Sequence, residues 1–318
     1  LFVMGEGEHT LLELCGRLER GDGPAGIAGS LTSPTEEGFE PRPPLDLRNH
    51  AFPTYDRFEV QRYPVDGAPM PIGLSRGCVC RCAFCGDYPF WGKFRSRRGG
   101  QVAAEIKHHV KHYGVREFEF NDLAINGDPR ALEEMCDGII EAGLTDIRWS
   151  SYAYVHELRP GLAARLRRAG CTMLRFGMES ASDAVLRRMR KPHRAAQAAA
   201  LFAELDAVGI LCNIGLMVGF PDETDEEVEE TCAFLREHQR LIHEVDSLSV
   251  FYIKPLSQVD RRPERFGFTF PEDNAVRWNH WIGRDGSTLD QRVARARRVM
   301  AVLESTSITF QRCNTFGF

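Results

Sequence analysis

No stretch of this chain approaches the ~18 consecutive apolar residues of a membrane span, and its first residues lack the basic-then-apolar order of a secretory leader. Both absences argue against a membrane or exported protein, and a cytoplasmic location is expected. Positive charge is not in excess either: 40 Lys and Arg face 45 Asp and Glu, for a net charge of -5. Nucleic-acid-binding domains usually display a basic face or stripe, so small molecules and proteins are the expected partners. A disulfide framework is also missing. Six of the ten cysteines, Cys15, Cys136, Cys171, Cys212, Cys232 and Cys313, are scattered singly through apolar or helical pattern, as small core hydrophobes would be.

What the chain does have is alternation. Short β-branched or aromatic runs predict strands at PIGLSR (71–76), REFEFN (116–121), DIRWSSY (146–152), TMLRFGM (172–178), ILCNIGLMV (210–218) and SLSVFYI (247–253). Between them lie segments with apolar residues at helical spacing. Four of these end at Gly114, Gly143, Gly170 and Gly209, just before the next strand, where a left-handed cap turns a helix back toward a sheet. Six strand-then-helix units predict an α/β fold of parallel strands with helices outside, wound by right-handed crossovers into a partial (β/α)6 barrel. A doubly wound open sheet would produce the same alternation.

The flanks read differently. LFVMGEGEHTLLELCGRL predicts a strand, a glycine turn and a helix, and no further strand is read until about residue 71, so the sheet partners of that first strand are expected outside this chain. On this reading residues 1–30 close an N-terminal domain that has been cut away, and 31–67 form a linker rich in Pro, Gly and charge. Residues 68–257 are the barrel core, and 258–318 are a C-terminal extension. Its one amphipathic helix, STLDQRVARARRVMAVLES, is expected to turn its arginines to solvent.

The remaining four cysteines fall together in RGCVCRCAFCGDYPFW, residues 76–91. Cys78, Cys82 and Cys85 satisfy C-x3-C-x2-C, and Cys80 is extra. Spacings of two and three are how loops hold iron-sulfur clusters, and three thiolates suit one face of a cube whose fourth iron lacks a protein ligand. An open metal position is where a substrate or cofactor binds, whereas a structural zinc site closes with four protein ligands. Zinc would need Cys80, whose place in the alternation predicts a thiol pointing away from its neighbours. The loop follows the first barrel strand, at the C-terminal mouth where catalytic groups of such folds gather.

At these residues the sequence resembles the radical S-adenosylmethionine (SAM) superfamily, whose signature C-x3-C-x-aromatic-C reads here as Cys78, Cys82, Phe84 and Cys85. The resemblance runs from about residue 70 to 257. It implies a six-unit partial barrel, a 4Fe-4S cluster on the three thiolates, and SAM chelating the open iron through its amino and carboxylate groups. It further implies that Asn121 and Asp122, in FNDLAIN, face the SAM amino group, although the chain departs here from the Gly-Gly-Glu of many members. Glu179 and Ser180, in FGMES, fall near the ribose or methionine part. Gly219 and Pro221, in GLMVGFPDET, fall where backbone approaches the adenosine and a side chain would obstruct it. The same segment also reads as a strand-to-helix turn with Thr224 or Asp225 as N-cap and acids in the first helical turn. Arg95 and Arg97, in FRSRR, match an Arg-x-Arg element of several subfamilies, suited to pairing with a carboxylate or to a surface.

VMGEGEHTLLELCGRLERG, IAGSL and PPLDLRNHAFPTYDRF resemble the end of the cobalamin-binding domain and the linker of one large radical SAM class, although the chain contains no D-x-H-x-x-G cobalamin motif. Membership of that class implies methylation of an unactivated carbon in a small-molecule substrate through a 5'-deoxyadenosyl radical and methylcobalamin, with cyclisation or ring rearrangement in some members instead. The electrons would come from a low-potential donor such as a flavodoxin or ferredoxin. The competing readings are a cobalamin-independent radical SAM enzyme, methylthiotransferase-like or oxidative; an electron-transfer protein with four cluster ligands; and a zinc-binding module. His108 and His112 stand four apart, at metal-ligand spacing, but with Lys107, His109 and Lys111 beside them the segment reads as a solvated helix face.

Overall fold

The computed structural model describes residues 1–33, 39–49, 51–58, 69–270 and 280–310. Cys313 and parts of the predicted linker lie outside the described residues. The chain divides into two compact units, Leu1–Ala51 and Phe52–Phe318. In the first, β1 (Phe2–Val3), α1 (Glu8–Glu19) and β2 (Ser30–Leu31) follow one another, and β1 pairs antiparallel with β2 in the register Phe2↔Leu31. Contrary to the sequence expectation, the first strand therefore finds a partner within this chain. The reason is Gly29: its φ of +79° and its approach to Thr10, where a Cβ would come within 2.7 Å of Oγ1, let IAGSL fold back beside the strand. Helix α1 buries Thr10 and leaves Leu11, Leu12 and Leu18 exposed. Cys15, predicted to be a core residue, is exposed because it shares this uncovered helix.

The second unit begins with β3 (Met70–Ile72), β4 (Ser75–Arg76), α2 (Asp87–Trp91), β5 (Arg95–Ser96), α3 (Gly99–Tyr113), β6 (Glu117–Phe120) and α4 (Pro129–Glu141). It continues with β7 (Arg148–Ala153), α5 (Leu162–Arg168), β8 (Cys171–Glu179), α6 (Asp183–Arg188), α7 (Ala195–Asp206), β9 (Leu211–Val218), α8 (Asp225–Glu237) and β10 (Glu244–Val250). After these come α9 (Gln258–Arg261), β11 (Phe268–Thr269), β12 (Ile282–Gly283), α10 (Leu289–Glu304) and β13 (Thr309–Phe310).

Seven of these strands form one parallel sheet in the order β13-β10-β9-β8-β7-β6-β3. Chain order and sheet order coincide, so the winding never reverses, whereas a doubly wound sheet reverses at a switch point. The edge strands β3 and β13 are not paired with each other among the described residues, which leaves a partial barrel with an open side. The six expected units are present, and α10 with β13 adds a seventh turn in the region expected to be a helical extension. Helix α10 buries Ala296, Val299 and Leu303 against the core. Its arginines are not simply solvated: Arg292 is buried, and Arg295 and Arg298 reach Asp225 of α8 at 2.7 and 3.5 Å. The helix packs on α8 instead of projecting into water.

Period-two patterning explains the sheet. Along β8, Leu174, Phe176 and Met178 are buried with the helices while Met173, Arg175, Gly177 and Glu179 take the opposite face. Phe118, Phe120, Trp149, Phe176 and Phe202 are fully buried, each stabilising by roughly 1.5–3 kcal/mol relative to exposure. The four predicted capping glycines all adopt positive φ. At Gly170 a Cβ would also fall 2.5 Å from Ile147 O, so helix α5 can turn tightly into β8 only with glycine there. His109, predicted on a solvated face, is instead buried. It shares the helical spacing of Val102, Glu105 and Ile106, and its ring lies 5.7 Å from that of Tyr55.

Candidate active site

The cysteine loop is mounted on a double clamp. β4 pairs antiparallel with β5 in the register Ser75↔Ser96 and Arg76↔Arg95, which closes the neck of the loop. Below the neck, Asp122 is buried and accepts from Leu74 N at 2.9 Å and from the Ser75 hydroxyl in a short bond. Burial raises this carboxyl to about 6 against the pull of those bonds. Arg97 donates its backbone N to Leu74 O at 2.8 Å and its guanidinium to Gly73 O at 2.9 Å, while forming a buried ion pair with Glu105. Of the two Arg-x-Arg residues, Arg97 thus pairs with a carboxylate inside the fold.

The four thiols are free, and each has its own environment. Cys78 is drawn down to about 6, foremost by a hydrogen bond from the Cys80 thiol, with the Cys80 backbone N, 3.4 Å from Sγ, and Lys191 assisting. Cys80 is correspondingly pushed up by Cys78. This corrects the expectation that Cys80 points away: the loop folds residue 80 back over residue 78 and does not continue an extended alternation. Cys82 is raised by burial and held back by Lys191. Burial pushes Cys85 up to about 11; its Sγ lies 3.2 Å from Asp87 Oδ2, and Asp87 pairs with Lys254 at 3.1 Å.

A second support comes from far along the chain. Val259 N donates to Ala83 O at 3.1 Å, and Gln258 Nε2 donates to Arg81 O at 3.1 Å. Gly86 sits so near Pro255 that a Cβ there would lie 2.8 Å from its carbonyl oxygen.

Glu179 ends β8 at φ +67°, an uncommon conformation for a side-chain-bearing residue, and accepts from Lys191 Nζ at 3.1 Å. Lys191 also donates to Gly177 O at 2.5 Å and lies 5.7 Å from the centre of the half-buried Phe84 ring. Its side chain is 11% exposed. Burial opposes its charge, but Glu179 and the Cys82 thiol outweigh that and hold the ammonium protonated. Lys191, Glu179, Phe84 and the cysteine loop therefore make one group. Sequence reading missed Lys191, because RRMRKPHR looks like a solvated basic run.

The other predicted residues divide. Asn121 has an exposed side chain, with its backbone N fixed to Ile72 O at 2.8 Å. Ser180 is buried and turned to α8, with Oγ 3.2 Å from Thr231 Oγ1. Gly219, at φ +86°, donates its N to buried Glu223, and a Cβ there would strike the Arg292 stem at 2.7 Å. The side chain that glycine makes room for in this structure is thus Arg292. Burial raises Glu223 to about 7. Pro221 is buried beside it, and Thr224 caps α8, its Oγ1 accepting from Glu227 N at 3.3 Å. Across the mouth, Asn126 exchanges bonds of 3.0 and 2.9 Å with the backbone of Tyr154, whose ring stacks on His156 at 5.3 Å.

Among the described residues, no three or more His, Cys, Asp or Glu are gathered closely enough to hold a single metal ion. A cube spreads three thiolates over three irons, and the donor set here fits that group: a thiol already acidic at neutral pH, two more on the same loop, and a buried ammonium beside them. No described helix is long and apolar enough to cross a membrane.

A family model described as the Radical SAM superfamily matches residues 72–235, just over half of the chain. An uncharacterized methyltransferase of Pyrococcus horikoshii is 32% identical over 245 residues, which cover 74% of this chain and 52% of that relative. A ribosomal protein uS12 methylthiotransferase of Kineococcus radiotolerans is 34% identical over 189 residues, 55% of this chain and 38% of that relative. The radical S-adenosylmethionine methyltransferase TsrM of Kitasatospora setae, solved with cobalamin and a 4Fe-4S cluster, is similar in fold. Its TM-score is 0.64 at 18% identity, over 83% of this chain and 53% of that one. The chain spans about half, or less, of the length of the curated relatives it matches.

Proposed function

Because this chain belongs to the radical SAM superfamily, we propose that its barrel mouth binds a 4Fe-4S cluster and SAM and starts a radical reaction on a small molecule, namely cobalamin-dependent methylation of an unactivated carbon. When bound, the cluster supplies the electron that cleaves SAM to methionine and a 5'-deoxyadenosyl radical, and cobalamin supplies the methyl group. The observation that carries the reading is the cysteine loop set beside the buried Lys191, which pairs with Glu179 at 3.1 Å and lies 5.7 Å from the Phe84 ring of the loop.

In this reading Cys78, Cys82 and Cys85 are the cluster ligands, and Cys80 serves Cys78 as hydrogen-bond donor. Lys191 and Glu179 form a charge pair complementary to an amino acid's carboxylate and ammonium, and so orient the methionine end of SAM. Phe84 packs beneath them. Asn121 offers an amide to the same ammonium, while Asp122 holds the base of the loop. Gly219 and Pro221 keep the turn after β9 low where adenosine would lie, and Ser180 fixes the strand end by packing. The uncovered apolar face of α1 and the cobalamin bound in the TsrM structure of similar fold favour a preceding cobalamin-binding domain, with residues 1–30 as its last unit. Free thiols suit the reducing cytoplasm. A second reading, a cobalamin-independent methylthiotransferase-like enzyme, has the uS12 methylthiotransferase relative in its favour.

The test is anaerobic reconstitution of the full-length polypeptide with iron, sulfide and cobalamin, followed by SAM and dithionite. 5'-Deoxyadenosine formation with retained corrinoid is expected. No 5'-deoxyadenosine sinks the radical reading, and its formation without any corrinoid retention moves the assignment to the second reading.

A further inference from the structure

Around the cysteine loop the charge balance of the chain inverts. The whole molecule carries -5, yet Arg81 in the loop, Arg190 after α6, and Arg261 and Arg262 at the end of α9 are all exposed. Gln258 fixes three of them, Arg81, Arg190 and Arg262, as neighbours. Its Nε2 donates to Arg81 O at 3.1 Å, its Oε1 accepts from Arg190 Nη1, and its carbonyl accepts from Arg262 N at 3.1 Å. The bond from Val259 N to Ala83 O lays α9 directly on the loop backbone between Cys82 and Cys85. Nearby acids are engaged within the fold: Asp87 with Lys254 at 3.1 Å, and Asp260 with Leu256 N at 2.8 Å. Glu264 lies beyond them, next to Arg265. Val79 and Leu256, 40% and 52% exposed, add apolar surface in the same segments. Basic residues beside a small apolar area suit a transient, charge-steered encounter better than a permanent interface.

Resting on the cluster reading above, we propose that this face docks a small, acidic, low-potential one-electron carrier protein, which passes its electron across the Arg81–Ala83 backbone. One electron leaves the carrier, which is oxidised by one, and enters the cluster, which is reduced by one. No bond forms and no proton moves. The location follows from the path: residues 81 to 83 lie among the proposed ligands, and α9 rests on their backbone, so a carrier seated on the arginines faces the loop across this one short helix and the exposed Arg81. Charge complementarity picks the partner, since an acidic carrier is attracted to a basic face on a chain whose net charge is -5.

The test uses the full-length polypeptide, reconstituted anaerobically, with a bacterial flavodoxin as probe. Calorimetry at low and physiological ionic strength compares the parent with Arg261→Glu/Arg262→Glu and with Lys107→Glu/Lys111→Glu, a matched reversal of two exposed lysines on α3. The expected result is binding that weakens with salt and falls about tenfold in the arginine variant, with little change in the α3 variant. Dithionite-driven 5'-deoxyadenosine formation should remain at the parent level in the arginine variant while flavodoxin-driven formation drops. Equal affinity of parent and arginine variant, an equal loss in the α3 variant, or no flavodoxin binding at all overturns the docking face. A parent inert even with dithionite would instead count against the cluster reading, leaving calorimetry to decide the docking.

Discussion

Burial in the sheet and helices pushes Cys136 and Cys212 up to about 12, whereas in the loop the hydrogen bond from Cys80 draws Cys78 down to about 6. Both groups of thiols are at least half shielded from water, so burial alone does not separate them. The difference lies in what the protein places nearby: apolar side chains around the core thiols, a donor thiol and an ammonium around the loop thiols. The same residue type is a packing unit in one region and, on the function proposed above, a prepared ligand in the other.

The largest effect should come from exchanging these roles. Alanine at Cys78, Cys82 or Cys85 should reduce 5'-deoxyadenosine formation and bound iron to background. Cys80→Ala and Cys171→Ala should retain both per folded molecule, the former with a less acidic Cys78. Iron analysis with chromatography of the nucleoside distinguishes the outcomes, and a Cys80 variant as inactive as the other three would restore a four-ligand site. The converse substitution lies in the core. Phe176→Ala should lower unfolding free energy by about 3–5 kcal/mol in denaturant titration, while leaving the pH profile of Cys78 alkylation in the apoprotein unchanged.

An intermediate effect concerns Glu223, whose carboxyl is raised by burial from 4.5 to about 7. A raised acid contributes stability that is fully present below pH 4.5 and lost as pH rises through 7. Glu223→Gln keeps an acceptor for Gly219 N and removes that dependence. The stability of this variant relative to the parent should therefore increase between pH 5 and pH 8, by up to about 3 kcal/mol. Melts at the two pH values decide it, and a constant difference would show that Glu223 does not titrate in this range. Smallest is Lys191→Met, which should weaken SAM binding by about tenfold, ~1.4 kcal/mol, and slow alkylation of Cys78 at pH 7 by raising its pKa. An unchanged alkylation rate would remove Lys191 from the electrostatics of the loop.

The barrel was legible in the sequence because six strands repeat within one regular alternation and four glycines mark the helix ends. β13 was not: its two residues follow a stretch where the pattern weakens, and only pairing with Glu244 and Val245 makes them a strand. The cysteine loop was visible through spacing, which is a local property. What surrounds it is not local. Nothing in RRMRKPHR separates the buried Lys191 from its solvated neighbours. FNDLAIN exposes a carboxylate to the reader without revealing that Leu74 N and Ser75 occupy both its oxygens. The uncovered face of α1 and the buried His109 failed in sequence for a related reason: an apolar or polar residue is assigned to a side by its helix pattern, and the packing partner decides the outcome.

The clasp formed by residues 254–259 has a consequence for biosynthesis. Its bond from Gln258 to Arg81 joins positions 177 residues apart, so a ribosome completes the four loop thiols long before it makes the segment that supports them. A chain stalled or cleaved ahead of residue 258 has the residues of the β4–β5 neck and Asp122 beneath it but lacks the bonds to Arg81 and Ala83 from the far side. Only a nearly finished barrel offers the loop with both of its supports, so the fully held arrangement of the four thiols is a late product of synthesis and belongs to molecules that have folded.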